Sequence, residues 1–537
     1  MSAALSAREQ GAAVCILSKQ HPLRSHSSGA QSGINAGLTG ANAWESHGLD
    51  TVRSGAFLCE QDVVEAICRE APARVIGLEH MGVPFDRNSE GRIDQARFPA
   101  SSEPRTCYCS DSTGHNILQA LFEQVLRMQI PLYHEWSAVS LIMSGDGACQ
   151  GVFARSLKDG TLSAFSSGAV ALATGGMGRM YRNSTASTAS TADGPAMAYR
   201  AGAPLRDMEM VQFAPTALAP NGVLITGAAR GEGALLTRGG DEPLTWGDDG
   251  ATIALATTDV VSRSVADELA NSAVHLDFRG VDSEWLAQRL PETRALVKDL
   301  AGIDIAKDPV PVQPAMHRPI GGIKIDTSGA SPVAGLFAAG ECASSGLNGA
   351  NRLGGNSLLE SVAVGRKAGA SAAAYAGTPG PAPDLSAQQA DEERRIAAIS
   401  AREKGSESPG AIRQELAAAM QDLVGIYRDA DGLNAAEGKL RDLRERCDAV
   451  GIQGPATGYN TEVASIIELE NMLDVARVVV ASALAREESR GCHSRRDFPE
   501  RDDENWLKHT VARASEDGPQ LDYEPVTVTR WKPEGSS

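Results

Sequence analysis

Two stretches set the tightest limit on what this chain can fold into. "SGAVALATGGMGRMY" (167–181) and "VAGLFAAGE" (333–341) each run from small and aliphatic residues into glycine, the pattern of a buried strand that breaks into a tight turn. Such turns at the ends of sheet strands suit the binding of a nucleotide. Upstream, "MSAALSAREQGAAVCILSK" reads as a helix running into a strand, as if the chain began partway through a βαβ unit. About 160 residues separate the two glycine turns, so the stretch between them, placed at 209–318, is expected to form an inserted domain that caps the sheet.

Composition narrows the function. The chain has 537 residues, enough for two or more packed domains. Its 55 glycines against 4% aromatic residues imply many tight turns and close approaches to a ligand. A formal charge of −18 argues against nucleic-acid binding, which needs a basic surface to neutralise phosphates. The nine cysteines contain no C-x-x-C pair and suggest neither a disulfide framework nor a metal-ligand set. No run of 18 apolar residues occurs and the start lacks a basic region followed by an apolar core, so the expectation is an acidic cytoplasmic enzyme, soluble or peripherally bound.

From residue 377, "GTPGPAPDLSAQQADEERR" has the composition of a linker. Leu416, Met420, Leu423 and Tyr427 then recur at helical spacing, and 463–489 carries a long apolar face. "RRDFPERDDENWLKH" reads as a solvated, ion-paired tail or subunit surface, and "YEPVTVTRW" as a strand-like end. Cys107 and Cys109 read as core or subunit-edge residues.

His26 lies in "RSHSSGAQSGINAGL" (24–38) with neither a metal co-ligand nor a carboxylate nearby. By itself it admits two readings, a packed or solvated histidine and a nucleophile held against a large flat ligand that the surrounding small residues let approach. Glu341 at a strand end can accept from sugar hydroxyls, and "GGNS" (354–357) offers backbone N–H groups at a helix start. Taken singly, Glu341 and Asp193 equally suit turn or cap residues.

"RSHSSGAQSGINAGL", "DMEMVQFAPTAL", "RGEGALL", "GLNGANRLGGNSLLES" and "ESRGCHSRRDFPERDDENWLKHT", in that order, resemble the flavoprotein subunit of succinate dehydrogenase and fumarate reductase over nearly the whole chain. The resemblance implies an α/β FAD-binding, Rossmann-like domain (1–208 and 319–376) with an inserted α+β capping domain (209–318), then a linker and helical domain (377–488) and a C-terminal domain (489–537). It implies FAD bound covalently through His26, with Ser18, Lys19, Arg24, Ser25, Ser27, Gln31, Gly33, Asp193, Glu341, Ser357 and Leu358 as further cofactor contacts. It also implies an iron–sulfur partner subunit, membrane anchor subunits reached indirectly, and a place on the cytoplasmic face of the inner membrane. The family opens with a strand and a G-x-G-x-x-G turn, whereas Met1 here falls inside the following helix. Either the start is assigned too late or the cradle is lost, and the unpaired strand edges that a loss would leave favour the first.

In the family, a threonine, two histidines and an arginine hold a dicarboxylate; Thr226, His317 and Arg352 match three of these. Arg352 alone would also suit a structural ion pair. The fourth position departs, with Ala214 in "QFAPT" where the family has histidine. Gly227 in "TGAAR" replaces a glutamate, and Thr258 in "TDVVSR" replaces the arginine that exchanges a proton with substrate. Of that relay Arg230 remains as the catalytic candidate. Three readings follow: hydride transfer between a small (di)carboxylic acid and FAD with electrons passed to the iron–sulfur subunit, a flavin oxidoreductase with a changed substrate, or a catalytically degenerate structural or assembly subunit.

Overall fold

The alanine-rich start folds as the helix Ser2–Glu9, which leads into the strand Ile16–Ser18. The helix lies against the long helix Asn356–Ala376. Gly365 and Gly369, one turn apart on that partner, permit the approach: a Cβ on Gly369 would fall 2.0 Å from the Ala3 carbonyl oxygen. The computed structural model describes residues 1–40, 42–246, 251–377, 385–402, 405, 407–452, 454 and 460–533.

Both glycine-terminated segments are strands, and they are neighbours. Val170–Leu172 and Leu336–Ala338 pair in parallel, Leu336 opposite Val170. Each chain then turns through a left-handed glycine, Gly175 (φ 78°) and Gly340 (φ 75°), a conformation other residues adopt only with strain. Ile16–Ser18 pairs in parallel with Leu132–His134. The carboxyl ends of these strands, where α/β sheets place ligands, lead into the loops that build the site.

Between the two glycine turns the chain leaves along Val211–Leu218 and returns along Val310–Pro319, antiparallel to each other with Val211 opposite Pro319 and Ala214 opposite Ala315. These strands are neighbours in a six-stranded sheet. Its apolar core, including Ile225, Val261, Leu276, Phe278 and Val297, is separate from the main one. Asp111, buried in the main body, accepts from the N–H groups of Glu292 (3.1 Å) and Thr293 (2.7 Å) at the start of the helix Pro291–Ala301. The Arg289 guanidinium lies 3.4 Å from the ring centre of Tyr108.

Beyond the proline-rich stretch, whose residues 378–384 lie outside the described residues, come the helices Pro409–Leu423, Ala430–Ala449 and Thr461–Ala485. Leu416 and Met420 are buried as the helical spacing requires, but Tyr427 is not on that helix. It opens the short strand Tyr427–Arg428, parallel to Ser494–Arg495. The helix stops at Leu423 and Gly425 turns the chain so closely that a Cβ there would lie 2.5 Å from the Gln421 carbonyl oxygen.

The C-terminal hairpin, Lys508–Ser515 with Gly518–Pro525, joins the main body through Leu205–Arg206. The charged tail is ion-paired but only partly solvated. Arg495 is buried, bonded to Asp497 and to the carbonyls of Ala483 and Leu484, because it closes the end of the helix Thr461–Ala485. Arg486, Glu488 and Arg490 are likewise buried in a connected network with Glu209. Among the described residues no helix is long and apolar enough to cross a membrane.

Candidate active site

Residues 23–32 form two short 3-10 turns, Pro22–Arg24 and His26–Gly29, in which no side chain is buried. The loop's small residues leave an open face: no atom lies within 4 Å of where a Gly29 Cβ would stand. Arg24 and Ser25 are exposed, and Ser27 is half-buried. Gly33 (φ 133°) is closed in, since a Cβ there would fall 2.7 Å from the Cys107 carbonyl oxygen. The Gln31 Oε1 is buried with no partner, a polar atom left for a ligand to satisfy.

The imidazole of His26 is fixed by the backbone N–H of Ser187, which donates to Nδ1 at 3.2 Å. Its ring centre lies 6.1 Å from that of His317, so one loop of the main body and one strand of the cap meet here. His317 Nδ1 is 2.9 Å from the Thr185 hydroxyl. Burial, then the Arg352 guanidinium, holds the His317 pKa well below its ordinary 6.5, so the ring is neutral.

Thr226 starts the helix Gly227–Gly231. Its hydroxyl accepts from the Ala228 N–H at 3.1 Å and shares a hydrogen bond with the Ser32 hydroxyl at 2.9 Å. Arg352 donates from Nε to Gln212 Oε1 (3.2 Å) and from Nη1 to the Leu353 carbonyl (3.3 Å), and makes no ion pair among the described residues. Burial draws its pKa down to about 10. The neighbouring Arg318 is paired instead with Glu360 at 2.9 Å and bonds the Ser357 hydroxyl. A guanidinium with free donors near a neutral imidazole has the chemistry to hold a carboxylate.

Ala214, opposite Ala315 and so close to His317, presents no donor. Thr258 begins the helix Thr258–Leu269, which packs on Val211–Leu218 with the Ser262 hydroxyl donating to the Phe213 carbonyl at 2.7 Å. Next to it, Asp259 accepts from Asn351 at 3.0 Å, which places Thr258 beside the Arg352 loop. Arg230 is buried in another cap helix, Gly227–Gly231. Of the residues singled out in the sequence for substrate, His317 lies near the Arg352 guanidinium and against His26, and Thr226 meets the His26 loop through Ser32.

The cofactor residues divide. Glu341 lies where its Oε2 would be 3.0 Å from a Cβ on Gly176, so the carboxylate spans the two glycine turns. Ser18 ends its strand, and Ser357 and Leu358 open the helix Asn356–Ala376 after a left-handed Gly355. Lys19 and Asp193 bind each other at 2.6 Å. Lys19 also reaches Glu468 (2.7 Å), and Asp193 accepts from Asn471 (3.0 Å). These two side chains thus tie the loop to the helix Thr461–Ala485. Thr185, Ser187 and Gln212 were not singled out in the sequence, nor was Ser32 by itself, although Ser32 lies in the same motif as Gln31 and Gly33 and Gln212 stands two residues before Ala214. The nine cysteines are free, Cys107 and Cys109 among the buried ones, and no cluster that could hold a metal occurs among the described residues.

The profile of the FAD binding domain family matches residues 1–358, and that of the fumarate reductase flavoprotein C-terminal family matches residues 413–537. The chain is 39% identical to a fumarate reductase flavoprotein subunit of Mycobacterium tuberculosis, over 97% of this chain and 94% of that one. It is 37% identical to a succinate dehydrogenase flavoprotein subunit of Rickettsia conorii, over 98% and 94%. An E. coli quinol fumarate reductase structure superposes with a TM-score of 0.94 at 37% identity, covering 99% of this chain and 95% of that one. The open loop, the orphaned Gln31 and the paired glycine turns fit FAD. The chain belongs to the family of fumarate reductase and succinate dehydrogenase flavoprotein subunits, FAD-binding oxidoreductases.

Proposed function

We propose that this chain carries FAD covalently on His26 and exchanges hydride between that flavin and a small carboxylic acid held by Thr226, His317 and Arg352. It works within a complex whose iron–sulfur subunit takes or returns the electrons and whose anchor subunits hold it to the cytoplasmic face of the inner membrane. The observation that carries the reading is the 6.1 Å separation of the His26 and His317 rings, which would put a flavin linked at the first against an acid bound at the second. FAD, when bound, supplies the two-electron chemistry. The Ser187 N–H occupies His26 Nδ1 and leaves Nε2 as the nitrogen available for a bond to the ring system. Arg352 would grip one carboxylate, while Thr226 and neutral His317 orient the acid.

The test is flavin fluorescence of the denatured polypeptide after loading. Fluorescence is expected to stay with the wild-type chain and to be lost in His26→Ala. Retention in that variant overturns the covalent assignment.

A second reading is favoured by three positions of the cap. Ala214 and Gly227 supply no side-chain donor, and the Thr258 hydroxyl is a poor acid or base, where reducing or forming a C–C double bond requires a proton at one carbon. The substrate is then other than succinate or fumarate. Bleaching of the flavin spectrum across a panel of acids separates this reading from the family reaction, and no bleaching by any acid marks a degenerate subunit.

A further inference from the structure

Arg230 has no counter-charge among the described residues. It is 3% exposed, one guanidinium nitrogen donates to the Ala254 carbonyl at 2.8 Å, Nε is without a partner, and no ion pair joins it to a carboxylate among the described residues. Burial alone accounts for its lowered pKa, about 10, with no acidic group acting on it. A guanidinium stays protonated at that value near neutral pH, and a charge buried without a counter-ion is unfavourable. Among the described residues no side chain supplies the compensating anion.

The space for it is beside Gly227. A Cβ at that position would have Arg230 Nη2 and Phe98 Cε1 each at 3.5 Å, ordinary contact with no clash. Gly227 is half-exposed, so the niche between Gly227, Arg230 and Phe98 has an open side, and it adjoins Thr226, whose hydroxyl is bonded to Ser32. Its walls are a guanidinium edge and an aromatic edge, and both attract negative charge. An acidic side chain at 227 would fill the niche and pair with Arg230; the chain has glycine there.

We infer that the niche beside Gly227 receives an anionic group of the substrate, so that the acid used here carries a third carboxylate beyond those addressed by Arg352 and by the Thr226–Ser32 pair. The class is a small tricarboxylic acid with a propane-1,2,3-tricarboxylate skeleton, that is, a succinate bearing one further carboxymethyl group. This rests on the reading of the cleft as a carboxylic-acid site.

Calorimetric titration of the flavin-loaded protein with propane-1,2,3-tricarboxylate and with succinate tests it. The wild type is expected to bind the tricarboxylate at least about tenfold more tightly, the scale of one charge-assisted contact. Gly227→Glu, which places a carboxylate in the niche while leaving Arg230 intact, is expected to bring the ratio to about one or below. Arg230→Gln is expected to weaken the tricarboxylate about tenfold and succinate less than about twofold. Succinate binding with no tricarboxylate preference, or a preference unchanged by Gly227→Glu, overturns the inference alone. Failure of both acids to bind overturns the carboxylic-acid reading beneath it as well.

Discussion

Thr226, His317 and Arg352 could be picked out in the sequence because each sits in a contiguous run of unusual residues. Their partners could not. Ser32 meets Thr226 from 194 residues away, and Thr185 orients His317 from 132 residues away. Thr185 has no local pattern, and the motif around Ser32 does not say that its hydroxyl turns to Thr226, since a serine or threonine in a loop looks the same whether or not it faces a site. The three departing positions act differently from one another. Ala214 removes a donor and mainly weakens binding, about 1.5–3 kcal/mol for a hydrogen bond to a charged group. Gly227 and Thr258 stand where the proposed reaction would need proton-handling groups and are expected to lower turnover even at saturation. The combined change Ala214→His, Gly227→Glu, Thr258→Arg is expected to raise fumarate reduction from an artificial donor by at least about a hundredfold. Thr258→Arg alone is expected to help little, because groups in one relay are not additive. Steady-state assays of the single and triple variants check this. Family-like activity in the unmodified flavin-loaded protein would locate the proton source elsewhere, with Arg230 the first residue to examine.

At the scale of elements, the strands that end in glycine turns were legible because a buried parallel strand is a dense apolar run with a sharp stop. The end of the helix at Leu423 was not, since Tyr427 continues the spacing and only the tertiary turn at Gly425 breaks it. Nor was the attachment of the cap. Asp111, in "CSDSTG", caps a helix 181 residues further on, a contact that only the folded chain creates. Its carboxylate satisfies two N–H groups at the positive end of that helix, where loss of a capping side chain costs about 0.5–2 kcal/mol. Asp111→Ala is expected to speed amide hydrogen exchange in 291–301 severalfold while leaving exchange in the helix Asn356–Ala376 unchanged. Equal acceleration in both would mean that Asp111 supports the whole body and not the docking of the cap.

Across the whole molecule, ion pairs buried where the hairpin meets the body couple stability to pH. His509 is fully buried, with Nδ1 2.7 Å from Asp207 and Nε2 3.2 Å from Glu60. Burial disfavours its charged form and nearby Arg206 opposes it, but Asp207 and Glu60 prevail and raise the pKa above the ordinary 6.5. A raised histidine pKa stabilises the fold fully below the unfolded value and loses that contribution as pH climbs through the folded value. Burial likewise opposes ionisation of Asp207, yet His509 holds its pKa below the ordinary value, and that share is lost only as pH falls into the acid range. Melting temperature is therefore expected to decline as pH rises above about 6.5, and His509→Gln is expected to flatten the decline. A slope identical in the two proteins would exclude His509 as its source. The chain's passage out along Val211–Leu218 and back along Val310–Pro319 has a consequence for descent. Because exit and re-entry lie side by side, the insert can be exchanged as one cassette. Ala214, Gly227 and Thr258 all lie within it, whereas His26 and Arg352 do not. A lineage could thus revise which acid it consumes by rewriting the cassette alone, and keep its redox partnership unaltered.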